Sequence, residues 1–113
     1  MPDTTALDME QMRRSASEAT AVLRVLAHED RLLLLCQLSQ TELTVGELEQ
    51  QLDIRQPSLS QHLGVLRREG LVHTRREGKY IHYRIADQRA LAVLQTLYEH
   101  YCANQPGNDG EPS

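Results

Sequence analysis

Tryptophan and phenylalanine are absent from the 113 residues, and four tyrosines are the only aromatic side chains. An aromatic-walled cofactor pocket is therefore not expected, and no cofactor is assigned. Cysteine is scarce as well: Cys36 and Cys102 cannot make a disulfide scaffold, and neither lies in a Cys-x-x-Cys pair. No uninterrupted apolar run exceeds the five residues of Leu32 to Cys36, far below the ~20 needed to cross a bilayer. Met1-Pro2-Asp3-Thr4-Thr5 has neither the basic nor the apolar region of a secretory signal, so a cytoplasmic location is expected. Valine and isoleucine are also few, nine together against 18 leucines, which favours helix over sheet. What remains is one small, mostly helical domain.

The net charge is −4, which by itself argues against a polyanionic partner. Its distribution argues the opposite. Between Arg55 and Arg84 stand seven basic residues (Arg55, Arg67, Arg68, Arg75, Arg76, Lys79, Arg84) and two acidic ones (Glu69, Glu77), a local net of +5. Concentrated positive charge of this kind is an electrostatic footprint for nucleic acid that the overall balance conceals. A solvated charged face is the plainer alternative.

Residues 1–10 read as a flexible N-terminal tail, 11–102 as the domain and 103–113 as a disordered tail with two prolines and two glycines. From Gln11, Ala16, Ala19, Val22, Leu23 and Leu26 follow helical spacing. A second helix from about Asp30 to Ser39 is apolar nearly all round and should be buried on most sides. Thr44-Val45-Gly46-Glu47 fits a capping box that opens a third helix with Val45, Leu48 and Leu52. Pro57 suits the first position of a fourth, which runs to Glu69 and stops at Gly70.

The period then changes to two. Across a tight Gly78-Lys79 turn, Val72, Thr74 and Arg76 are predicted opposite Ile85, Tyr83 and Ile81, on the face toward the domain. The other face carries His73, Arg75, Glu77, Tyr80, His82 and Arg84. Asp87 caps a last helix containing Leu91, Val93, Leu94, Leu97, Tyr98 and Tyr101. The predicted fold is mostly α with a β-hairpin, in the order α-α-α-α-β-β-α. Two short helices joined by a tight turn, followed by a hairpin, make a winged helix-turn-helix.

On the fourth helix Leu59, Leu63 and Leu66 fall within about 60° of one another and define the buried stripe. Opposite them lie Pro57, Gln61, Gly64 and Arg68, flanked by Ser58 and Val65, with Gln56 before the first turn. A glutamine can pair bidentately with adenine, hydroxyls serve bases or phosphates, and a glycine admits a close backbone. Gln56, Ser58, Ser60, Gln61, His62 and Arg68 are the candidate recognition residues, with Ser60 and His62 bordering the core. His73, Arg75, Lys79, His82 and Arg84 are the candidate wing contacts. Helix capping by the serines and a satisfied border role for His62 are the structural alternatives.

Several segments together resemble the ArsR/SmtB family of bacterial winged-helix repressors. They are Leu26-Ala27-His28-Glu29-Asp30-Arg31-Leu32, Thr44-Val45-Gly46-Glu47-Leu48, Gln56-Pro57-Ser58-Leu59-Ser60-Gln61-His62-Leu63, Leu66-Arg67-Arg68-Glu69-Gly70-Leu71-Val72 and the wing from Arg75 to Arg84. The resemblance covers about Ala19 to Cys102 and implies a homodimer that binds a palindromic operator and releases it when an inducer occupies a sensor site.

The metal-sensing members' cysteines in the third-helix segment are missing here, where Glu42-Leu43-Thr44-Val45-Gly46-Glu47-Leu48 stands. Of the family's ligand set at the last helix only Asp87 and His100 survive, and Arg89 replaces a histidine, so no metal site is assigned. Cys36 and Cys102 match instead the dithiol branch, in which the pair forms a disulfide or polysulfide bridge on exposure to reactive sulfur or oxidants.

The implied protein is a dimeric repressor, joined through its first and last helices and gated by Cys36 and Cys102, and not an enzyme. A metal sensor using Asp87 and His100 is the alternative. A thiol enzyme is a weaker one, since His100 and Cys102 lie two positions apart on a helix and point about 200° away from each other.

Overall fold

The structure, a computed structural model, describes residues 6–103. Five helices run α1 Ala6–Leu26, α2 Glu29–Leu38, α3 Val45–Leu52, α4 Ser58–Arg68 and α5 Gln88–Tyr98, the last continued by a π-helical turn Glu99–Ala103. Three short strands, β1 Leu43–Thr44, β2 Val72–Glu77 and β3 Tyr80–Ile85, form one antiparallel sheet in the order β1-β3-β2. This is the predicted winged helix-turn-helix with one strand added.

α1 begins at Ala6 rather than Gln11, so residues 6–10, expected in the flexible tail, are helical. Nothing between Ala6 and Gln11 breaks a helix, and Asp8 in the first turn complements its dipole. Ala103 likewise belongs to the π-helical turn rather than the tail. The expected tails 1–5 and 104–113 lie outside the described residues.

Local chemistry accounts for the ends of the elements. His28 is the N-cap of α2, its Nδ1 accepting from Asp30 N at 3.2 Å. The capping box is complete: Glu47 N donates to Thr44 Oγ1 at 3.2 Å, and Thr44 N donates to Glu47 Oε1 at 2.8 Å. Asp53 closes α3 in the left-handed region at φ 56°. α4 ends in a Schellman pattern, with Leu71 N donating to Leu66 O at 2.9 Å and Gly70 N to Arg67 O at 3.1 Å. That pattern requires the positive φ of Gly70, +77°.

The core gathers Leu34, Leu35 and Leu38 of α2, Leu48 of α3, Leu59, Leu63 and Leu66 of α4 and Leu94 of α5, closed by Leu71 and Val72 at the start of the wing. α2 is less enclosed than its composition suggested, for Leu33 is 40% exposed while Leu34 and Leu35 are fully buried. The hairpin register is as predicted: Val72 pairs with Ile85, Thr74 with Tyr83 and Arg76 with Ile81. At its tip Gly78 has φ +65° and Lys79 does not share the positive sign, as in a type II′ turn.

The added strand is β1, whose Leu43 and Thr44 pair with Tyr83 and His82. Two residues are too few to show a period, so the sequence carries no signal for it. Its effect is mechanical. The wing is anchored through β3 to the segment that opens α3, which ties it to the helix-turn-helix.

Candidate nucleic-acid interface and thiol pair

α4 buries Leu59, Leu63 and Leu66 and leaves Ser58, Ser60, Gln61 and Arg68 exposed. Gly64 sits among these outward positions, and the atom nearest to a Cβ built there is Arg68 Nη1 at 3.5 Å. Packing therefore does not demand a glycine at this point.

Two candidate recognition residues already partner each other. Gln56 Oε1 accepts from Ser60 N at 3.1 Å and from Ser60 Oγ at 2.7 Å, so Gln56 caps the first turn of α4. Its amide nitrogen and the Ser60 oxygen lone pairs remain for a ligand. Ser58 and Gln61 make no such capping bond. His62 is half-buried and turned toward the start of α2, where its ring centroid lies 4.3 Å from that of His28. It sits as the border residue the leucine stripe implied.

On the wing, His73, Arg75 and Lys79 are exposed, as is Arg84, while His82 is half-buried. The basic face is not uniformly free. Arg75 reaches across to Glu42 beside β1, with Nη2 2.7 Å from Oε1 and Nε 3.3 Å from Oε2, and its Nη1 lies 3.3 Å from Glu77. This forked pairing holds the Glu42 carboxyl below the usual carboxylate range and raises the Arg75 guanidinium further. His82 Nε2 is 3.3 Å from the same Glu77 carboxylate. Glu42 lies outside the basic stretch, so counting charges along the chain could not reveal that Arg75 is held in ion pairs with Glu42 and Glu77. Lys79 lies over the Tyr80 ring at 5.6 Å, and Arg84 pairs in register with His73.

The two thiols come from different helical elements. Cys36 is half-buried on α2, and Cys102 is exposed on the π-helical turn after α5. They are near enough to interact electrostatically: the Cys36 thiol is pushed up first by burial and then by the negative charge that Cys102 can carry. An open cleft of about 450 Å³, lined by Cys36, Ser39, Leu94, Tyr98 and Glu99 among others, runs between α2 and the end of α5. A small reagent could enter there.

The residues of the alternative metal site are otherwise engaged or dispersed. Asp87 Oδ1 accepts from Arg89 N at 2.8 Å and Ala90 N at 3.2 Å as the cap of α5. Among the described residues, Asp87, His100 and Cys102 do not gather into a three-ligand group.

An apolar face remains on α1 and α5. Ala19, Val22, Leu23 and Val93 line a shallow groove of about 350 Å³ between the two helices. Met12, Leu23 and Tyr98 are each at least half exposed. No described helix is long and apolar enough to cross a membrane.

Helix-turn-helix, sheet-anchored wing and an exposed polar face on α4 together define a winged-helix DNA-binding regulator. The sequence profile described as bacterial regulatory protein, arsR family, matches residues 28–74. The biofilm growth-associated repressor of Agrobacterium fabrum is 50% identical over 101 residues, covering 89% of this chain and 86% of the relative. The crystal structure of the transcriptional repressor BigR from Xylella fastidiosa superposes with a TM-score of 0.79 at 47% identity, over 85% of this chain and 98% of that one. Reduced HlyU from Vibrio cholerae N16961 superposes equally well, at a TM-score of 0.79 and 40% identity, over 82% and 98% of the two chains. The chain belongs to the arsR family of bacterial regulatory proteins.

Proposed function

We propose that the protein is a homodimeric transcriptional repressor that leaves its operator when Cys36 and Cys102 become bridged, as a disulfide or through inserted sulfur, in response to reactive sulfur species or oxidants. The observation that carries this reading is the open cleft lined by the half-buried Cys36 on one side and, on the other, by Glu99, the first residue of the turn that carries the exposed Cys102. Solved relatives support it from outside: one is named a repressor, and another is described in its reduced form.

Dimerisation buries the apolar face of α1 and α5, which a domain of this size has little other means of covering. The two α4 helices then address successive major grooves about 34–36 Å apart. Ser58, Gln61 and the Gln56 amide supply base contacts. Arg84, Lys79, Arg68 and His73 supply phosphate contacts.

In the reactive step an oxidant converts one thiolate to an electrophilic sulfur, and the second thiolate attacks it and displaces the leaving group. Two electrons pass to the oxidant, and each thiol loses its proton. Cys102 reacts first, because the thiolate is the nucleophile and Cys36 is held as a thiol by burial. Bridging ties the end of α5 to α2, on which α4 packs. A shift of the dimer helices that costs about 1–3 kcal/mol lowers operator affinity roughly 5–150-fold.

The test combines intact-mass spectrometry with DNA binding after treatment with persulfide or peroxide. Cys36→Ser and Cys102→Ser should each bind operator when reduced and each fail to release it when treated. Release by the double variant would remove the thiols from the mechanism.

A further inference from the structure

One cluster of metal-ligating side chains lies apart from both the wing and the thiol pair. His28 and Asp30 stand at the start of α2 and His62 in the middle of α4, and their ligand atoms all lie within 4.8 Å of one another. The two imidazoles approach at 57° between ring planes. His62 Nε2 and Asp30 Oδ2 are 3.9 Å apart, too far for a hydrogen bond. The two rings and the Asp30 carboxylate thus border one small volume with no side-chain hydrogen bond across it, while His28 Nδ1 accepts from Asp30 N.

We infer that His28, Asp30 and His62 form a binding site for a divalent transition-metal cation of the zinc type, with water completing the coordination. Two imidazoles and a carboxylate suit zinc, cobalt or nickel, whereas magnesium and calcium prefer oxygen throughout. Ligand atoms around a tetrahedral ion with bonds of about 2.0–2.1 Å are about 3.4 Å apart, so the three groups must close in by roughly 1 Å. His62, with its side chain only 14% exposed, is the fixed anchor. His28 is exposed and the Asp30 side chain is 40% exposed, so both are free to move inward.

Burial keeps the His62 ring below the usual imidazole range, with His28 and Arg31 adding to the effect and Asp30 opposing it. Two features limit affinity. A neutral imidazole cannot ligate through one nitrogen while accepting a hydrogen bond at the other, so metal binding releases the His28 cap on Asp30 N. The Arg31 charge also stands nearby, its Nε held on Val25 O at 2.8 Å. An exchangeable ion fits this balance better than a permanent one. Once bound, it would staple the first turn of α2 to the helix that carries Ser58 and Gln61.

The test titrates cobalt(II), then zinc, into the full chain carrying Cys36→Ser and Cys102→Ser, so that no thiol can ligate. About one cobalt per chain should bind, with visible absorption of nitrogen–oxygen ligation and a raised Tm. Adding His28→Asn or His62→Gln should weaken binding by roughly tenfold or more, while His100→Gln should leave it unchanged. Asparagine at position 28 still offers an oxygen to cap α2. That variant therefore decides the matter if His62→Gln fails to fold. Cobalt binding retained in His28→Asn, lost in His100→Gln, or absent from the starting protein would overturn the inference.

Discussion

Gly64→Ala separates packing from DNA contact at a single atom. Gly64 lies within α4, and the added methyl would meet only the mobile end of Arg68, at an ordinary van der Waals distance of 3.5 Å. With no clash, the free protein should gain the helix-propensity difference, about 0.5–1 kcal/mol. For a domain of this length that raises Tm by roughly 2–8 °C. In the proposed complex the same methyl stands opposite the Leu59–Leu63–Leu66 stripe, on the face of α4 assigned to the groove. If the backbone approaches closely there, pushing it back should cost about 1–2 kcal/mol, which is roughly a 5–30-fold loss of operator affinity. Thermal unfolding by circular dichroism and fluorescence anisotropy against an operator selected from random duplexes read the two effects. A stabilised variant with unchanged operator affinity would refute the groove-facing assignment. A destabilised one would show that position 64 is a packing site after all.

Gln61→Ala should cost about 1–3 kcal/mol of preference for operator over random duplex at fixed salt. Lys79→Ala and Arg84→Ala should weaken both equally and reduce the slope of log affinity against log salt by about 0.9 for each phosphate no longer neutralised. Glu42→Gln should release Arg75 from its forked pairing, so that affinity for any duplex rises and the salt slope steepens. Leu23→Glu places a charge on the exposed apolar face of α1 and should yield a monomer by sedimentation; a stable dimer would move the interface elsewhere. Because burial and the Cys102 charge both disfavour the Cys36 thiolate, alkylation of Cys36 should accelerate with pH only above the ordinary thiol range. Quench-and-digest mass spectrometry should therefore find Cys102 labelled first near neutrality.

Much of this was legible in sequence because the signals are local. The capping box at Thr44, the glycine stop at Gly70, the leucine stripe of α4 and the alternation from Val72 to Ile85 each rest on neighbours a few residues apart. β1 was not legible: Leu43 and Thr44 carry no period, and they become a strand only because β3 offers them an unpaired edge. The start of α1 was misplaced for a related reason, since polar helix formers read the same in a tail as in a helix.

Among the site residues the division follows the same physics. Covalent order and local propensity determine which side chains share a face of α4 or of the hairpin, and so the sequence by itself determined the family, the fold and the outward position of Ser58, Gln61 and Arg84. Which side chains meet across elements depends on how those elements pack. Tertiary structure alone decided that Gln56 is engaged with Ser60, that Glu42 pairs with Arg75, and that His62 faces His28 and Asp30. It likewise decided that Cys36 faces a cleft bordered by the end of α5, because charge and lone pairs act through distances in space that the chain's linear order does not contain.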